Sequence, residues 1–411
     1  MAEPQKPAEK PRLISEADMT KYKTAGDIVN DVMGNLISLC VEGVKIIDLC
    51  TEGDKLIEEG TGAVYNKLVK GVKTNKGIAF PTCISVNNTV AHFSPLLCVL
   101  TAKIYRGVSC LLSCSSDPLA SQTLAKGDVV KLHLGAHIDG FVAISAETIV
   151  VGATEDDPVT GRRADVLKAA YHAAELAMRL VKVGNKNWAV TDAVSKTASA
   201  FNCKPVEGML SCQQTQNVID GKKRIILNPS EAQRRDTETI TFGEDEVYGI
   251  DILVSSAEDG KARVEDSKTS IYQKEGSVTY QLKSKNSRTI FSEMQKKAGA
   301  FPINIRVMED EKRARLGLQE AVSHGLVKPY EVVYTPSNTF VAAFHFTIAL
   351  PPAGPLLITH PPVWYKPELV KSDKELDDEE LKALLTKPLR ENKKKKKAKE
   401  TDGADGSAET K

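Results

Sequence analysis

Two apolar-faced helices separated by a glycine break occur twice in this chain, and a repeat of that kind points to an architecture of two related halves. In the first copy Ile28, Val32, Leu36 and Leu39 give one helical face, the helix ends near Gly43, and "DLCTEGDKLIEEGT" opens a second helix with Asp48 as its expected N-cap. In the second copy Leu167, Tyr171, Ala174, Met178 and Val181 line one helix, Gly184 and Asn185 stop it, and Val190, Val194, Ala198 and Phe201 line the next. Each pair is followed by an extended stretch with turn residues, "GIAFPTCISVNN" and then "CKPVEGML". The expectation is an α+β body of two pseudo-symmetric halves.

Strict alternation marks the strands. In "TFVAAFHFTIAL", Phe340, Ala342, Phe344, Phe346, Ile348 and Leu350 share one face, and Val341, Ala343, His345 and Thr347 share the other. Val130, Leu132 and Leu134 alternate with Lys131 and His133, and "EVYGIDILV" sets Asp251 on a face with Val247, Gly249 and Leu253. Each of these strands thus carries a polar side chain at a similar depth. The region 294–326 reads as helical, with neighbouring opposite charges in "MEDEKRARLGLQEAV". The chain opens with a segment rich in Pro, Lys and Glu, so 1–19 is expected to be disordered and the folded body to start near 20. Beyond Pro362 the composition turns charged; the body is expected to span 20–355, and 356–411 to form a charged tail.

Composition excludes several classes. With 411 residues and 41% hydrophobic content the chain can bury a large core. No apolar run approaches the ~20 residues of a membrane span, and "MAEPQKPAEKPR" lacks the apolar segment of a secretory signal, so the expected location is the cytoplasm and nucleus. Eight cysteines scattered over the chain do not form a disulfide framework, and reduced thiols are expected. The net charge of +1 says nothing about partners, but the charges cluster in the last segment.

Polar side chains on the inner faces of apolar strands are costly unless paired, so His133, Asp251 and His345 admit a metal or catalytic reading beside that of satisfied structural residues. Hydrolytic divalent metals need a carboxylate-rich shell, often two ions bridged by Asp or Glu. One Asp and two distant His do not supply it.

Four blocks, "KGIAFPTCISVNNTVAHFSP", "KLHLGAHIDGF", "EVYGIDILVSS" and "FVAAFHFTIAL", resemble in that order those of type II methionine aminopeptidase, of peptidase family M24, over roughly 20–355. The chain is more similar still to that enzyme's non-peptidase relatives, the proliferation-associated proteins that bind ErbB-type receptors in animals and are named curved-DNA-binding proteins in fungi. "VTGR", "VEGML", "LKALL" and a later lysine run carry that second resemblance. It implies a pita-bread fold. Carried over position by position, the enzyme's metal ligands fall on His133, Ile144, Met209, Asp251 and His345, and His92 matches a histidine that assists catalysis. Only Asp251 keeps a carboxylate, while Ile144 and Met209 cannot bind a hard cation. The expectation is a chain that is no enzyme, with neither metal nor cofactor; the alternative is an active metal-dependent methionine aminopeptidase with altered ligands. His133 departs even from the non-peptidase relatives, which tend to keep Asp.

A second departure is 96–117, an insertion that brings Cys98, Cys110 and Cys114 into the chain at a spacing that fits no zinc module. The end of the chain is more legible. "RENKKKKKAK" sets seven basic residues against one acidic one over 390–399, and a mobile arm with Lys393, Lys394, Lys395, Lys396, Lys397 and Lys399 suits phosphate contact with RNA, ribosomal particles or DNA. A solvated end or a nuclear import signal is the competing reading. Upstream, Leu381, Leu384 and Leu385 in "DDEELKALL" share one face of a short helix that either offers itself to a protein partner or packs back on the body. The old substrate groove is a second possible protein contact.

Overall fold

The computed structural model describes residues 14–69, 71–96, 121–265 and 269–390, together with the backbone of 104–105 and 108–109. The first half holds α1 Glu16–Leu39, α2 Ile46–Ala63, β1 Lys76–Val86, β2 Thr89–Ala91, β3 Ile104–Tyr105, β4 Val108–Ser109, β5 Val129–Ile138 and β6 Phe141–Val150. The second runs through α3 Gly161–Leu180, α4 Asn187–Ala200, β7 Lys204–Pro205, β8 Leu210–Gln214, β9 Arg224–Ile226, α5 Glu231–Asp236 and β10 Val247–Ser255. An insert follows with β11 Arg263–Val264, β12 Ile271–Lys274, α6 Lys285–Ala298, β13 Ile303–Asn304, α7 Glu311–Ser323, β14 Val327–Tyr330 and β15 Val333–Tyr334. The chain then returns through β16 Val341–Ala349 and β17 Leu356–Leu357 and ends, among the described residues, beyond α8 Glu379–Leu385. No described helix is long and apolar enough to cross a membrane.

The twofold repeat is present in the backbone bonds. Gly43 and Gly184, at φ +84 and +89, end the first helix of each pair in a conformation that disfavours a Cβ. Gly43 N–H donates to Leu124 O, and Gly184 N–H donates to Phe242 O. Lys45 and Lys186 then open α2 and α4 while paired as isolated bridges with Thr123 and Thr241. That pairing overrides the expected N-cap: Lys45 holds the position, and Asp48 sits inside the first turn, where its charge still favours the helix N-terminus. The body also begins earlier than 20, because Ser15 and Asp18 close a capping box around the start of α1.

A nine-stranded antiparallel sheet joins the halves, with the path β1-β5-β6-β16-β10-β8-β9. The two helix pairs, α1 with α2 and α3 with α4, lie on one of its faces. Tyr22, Leu36 and Ile57 pack on Leu132 and Leu134 in one core, while Leu167 and Val190 pack on Ile250, Phe344 and Phe346 in another. The alternation read from β5 and β16 is therefore kept, and their second face points away from the helices. The helical stretch expected over 294–326 divides into the end of α6 and all of α7, with β13 between them. α6 and α7 pack together around Ile290, Met294 and Leu318, and Leu96, the first residue of the expected insertion, is buried in that cluster. Cys98, Cys110 and Cys114 lie outside the described residues.

Residues 356–385 are part of the body, not a free tail. β17 pairs with the end of β16, Val159 and Val370 form a parallel bridge, and the Glu147 carboxylate accepts from Trp364 N–H. Leu381 is buried against Leu176, Ala193 and Leu376, with Leu384 and Leu385 packed beside it. The charged residues of this strap face water while widely spaced apolar anchors enter the core, which is why composition alone reads it as a tail. The strap presses closely on α1: a Cβ on Gly26 would lie 2.2 Å from Ile358 O. Gly26→Ala should therefore cost about 1–3 kcal/mol, the usual range for overpacking. An unchanged denaturant midpoint for this variant would show that the strap is not seated there.

Candidate functional site

The sheet register builds one row across five strands. Cys83 pairs with His133, His133 with Ala146, Ala146 with His345, and His345 with Asp251. His133 and Asp251 stand at the same place in their own strands, four residues after Val129 and Val247, so the repeat sets one against the other across the site. The His133 and His345 rings are stacked, 5.5 Å between centroids. His345 Nδ1 lies 3.7 Å from Asp251 Oδ1, beyond a hydrogen bond. Phe80 covers His133 at 4.5 Å and also approaches His92 and Tyr330 at 5.9 and 5.3 Å. His92, at φ +66, shares a hydrogen bond of 3.0 Å with Glu331 O through Nδ1.

Ile144, two residues along β6 from Ala146, directs its side chain over Gly135 and joins an apolar cluster with Phe80 and Cys83. Met209 packs with Val206, Leu253 and Ala343. The structure thus brings His92, His133, Ile144, Asp251 and His345 to the face of the sheet away from the helices, with Met209 beside Ala343 of β16. Sequence reading missed Gln214 and Gly249. A Cβ on Gly249 would lie 2.5 Å from Gln214 Nε2 and 2.9 Å from His345 Nε2, so that glycine makes room for both. The lone glycine among apolar residues in "EVYGIDILV" was the available signal.

Burial sets the electrostatics. His345 is pushed down to about 3 and His133 well below the ordinary imidazole value, in the latter case with the neighbouring His345 and His92 adding to the effect. His92 is lowered too, chiefly by burial. The Asp251 carboxyl is pushed up to about 7 by the same cause. His133 Nε2, both ring nitrogens of His345 and Gln214 Oε1 are buried with no hydrogen-bond partner among the described residues. Unpaired neutral imidazoles could in principle take a borderline metal. The donor set does not fit the bridged pair of hard cations that aminopeptidase chemistry uses: it offers a single carboxylate, and the sec-butyl side chain of Ile144 and the thioether of Met209 stand where the resemblance puts two further ligands. Among the described residues no group of three or more His, Cys, Asp or Glu side chains is placed to hold a metal ion.

A profile of metallopeptidase family M24 matches residues 20–230. The chain belongs to the M24 family. Within it, the chain is 44% identical to the curved DNA-binding protein of Schizosaccharomyces pombe, over 95% of this chain and 96% of that one. It is 42% identical to ERBB-3 binding protein 1 of Arabidopsis thaliana, over 97% and 93%. Among solved structures, that of a thermophilic Arx1 superposes with a TM-score of 0.80 at 32% identity, covering 92% of this chain and all of that one. A methionine aminopeptidase from Rickettsia prowazekii, 13% identical with a TM-score of 0.52 over 85% and 99%, shares the fold alone. The pita-bread expectation and the branch of the M24 family named from the motifs both hold.

The raised Asp251 carboxyl has a measurable sign. Its contribution to stability is fully present below the ordinary value of 3.8 and is lost as the pH rises to about 7, because the buried site favours the protonated form. Asp251→Asn should gain on the natural chain as the pH is raised from 4 to 8. Equal stability differences at the two ends of that range, measured by urea unfolding, would contradict the assignment.

Proposed function

We propose that this M24-fold chain is a catalytically inactive adaptor that acts by binding nucleic acid and proteins. The observation that carries the reading is the set of five positions that the resemblance matches to metal ligands: His133, Ile144, Met209 and His345 bear no carboxylate and Asp251 alone does. A hydrolytic M24 site needs a metal-activated water, and His92 can assist such a step only where that water is held. The unpaired ring nitrogens of His133 and His345 and a carboxyl that burial raises to about 7 leave a site of low charge there.

The binding half of the proposal rests on the chain's last segment and on its relatives. Lys393, Lys394, Lys395, Lys396, Lys397 and Lys399 lie outside the described residues; their charge density suits phosphate contact with RNA, ribonucleoprotein particles or DNA. One relative is named for binding curved DNA and another for binding ERBB-3, which supports nucleic acid and protein as partner classes. The nucleus and cytoplasm are the compartments that such partners imply. "LKALL" is not offered as the protein contact, because Leu381 is spent on the body's own core.

Removal of 391–411 should weaken RNA binding and flatten its salt dependence. Six lysines fully engaged on a single strand would contribute about −4 to the slope of log K against log salt, at ~0.7 per contact. Replacing the same lysines with Gln should reproduce the truncation, whereas Arg should preserve binding, since the interaction needs charge. An affinity and slope unchanged by truncation would refute the role of the lysine run.

A further inference from the structure

We propose that the open edge of β1 and the cavity beside it bind an extended acidic peptide that carries aliphatic side chains. β1 is the first strand of the central sheet, paired with β5 on one side only. Along its second half the outer edge is satisfied: Thr82 N–H donates to Asp54 Oδ1 at 2.7 Å, Ser94 Oγ donates to Thr82 O at 2.7 Å, and Ile84 N–H donates to Phe93 O at 2.8 Å. Over residues 76–78, which are half-buried, no strand pairs with that edge among the described residues, whereas Ala79 and Phe80 just beyond are buried. An uncovered run of backbone donors and acceptors is a template for an added strand.

A cavity of about 830 Å³ lies against this stretch, with Gly77 and Ile78 in its wall and Pro302 and Ile303 opposite. That volume suits several peptide residues. Its walls also stand back: a Cβ added to Gly62 or Gly299 meets nothing within 4 Å. Just before the wall in sequence, Leu68, Val69 and Val72 are exposed at 66%, 62% and 68%, a small apolar patch on the surface.

Charge selects the class of peptide. Lys73, Lys76, Lys296 and Lys297 line the cavity against Asp54 and Glu58, and Asp54 is already paired with Arg306 at 2.6 Å. The Lys76 ammonium is held by Val64 O and Asn66 Oδ1, and that of Lys297 by Val307 O and Glu293. Lys73 and Lys296 have no ion-pair partner among the described residues, so an incoming carboxylate meets them first. Single-stranded RNA would meet the same charges, but it depends on aromatic or Arg platforms for its bases. Among the described residues the lining holds no Phe, Tyr, Trp or Arg side chain, and its one histidine, His137, is buried against Phe301 and offers no open ring face. Aliphatic contacts from Ile78, Pro302 and Ile303, a lysine rim and a free strand edge together favour peptide.

The test is fluorescence polarisation on the full chain with a fluorescein-labelled peptide of alternating Glu and Val, beside the same peptide N-methylated at alternate amides, and labelled oligouridine. The unmethylated peptide should bind. Lys73→Glu with Lys296→Glu should weaken it at least about tenfold, as expected when two surface ion pairs become repulsions. Gly62→Trp, which fills the cavity from an exposed helix position, should weaken it comparably with no loss of thermal stability. N-methylation should abolish the effect of the edge. Peptide binding that survives Gly62→Trp and N-methylation belongs to the lysine run and would overturn the proposal, as would no binding at all. Oligouridine binding that Gly62→Trp and the Lys reversals abolish, in the absence of peptide binding, would assign the cavity to RNA instead.

Discussion

Pairing of β16 with β10 on one side and β6 on the other holds His345 between Asp251 and Ala146, and the same ladder sets His133 opposite Ala146. A slip of one residue in β16 would turn His345 into the helix-covered core and bring Phe344 and Phe346 out of it, because side chains alternate strictly along a strand. The four helices therefore enforce the register: their apolar faces accept only one phase of each strand. Everything on the opposite face, from the stacked imidazoles to Ile144 over Gly135, follows from that choice of phase. The structural core and the candidate site are two sides of one constraint.

Much of this was legible because it depends on period. The two helix pairs, the glycine stops at Gly43 and Gly184, and the faces of β5, β10 and β16 are all written at spacings of about 3.6 or 2. What was not legible depends on tertiary partners. Asp48 looks like a cap until Lys45 pairs with Thr123, and the segment after 355 looks like a tail until Ile358, Val370 and Leu381 are seen entering the core. Gln214 came to the site through the pairing of β8 with β10, which no local pattern announces. The motif comparison placed His133, Ile144, Asp251 and His345 together, but only the ladder shows that three of them share a single row.

On the proposed reading, the M24 architecture is kept while the positions that the resemblance matches to metal ligands carry imidazole, aliphatic and thioether side chains. The cost of that change is visible in the unpaired nitrogens of His133 and His345 and in a carboxyl driven toward neutrality by burial. These groups make the site poorly suited to a hard cation. The two proposed binding surfaces lie elsewhere, at the lysine-rich end of the sequence and along the edge of β1.

Calorimetric titration of manganese and cobalt into the full-length protein, run beside an assay for methionine release from Met-Ala and Met-Gly peptides, tests the inactive reading most directly. The account predicts no stoichiometric uptake of either ion and no release. Uptake near one ion per chain, with methionine release that Asp251→Ala abolishes, would contradict it.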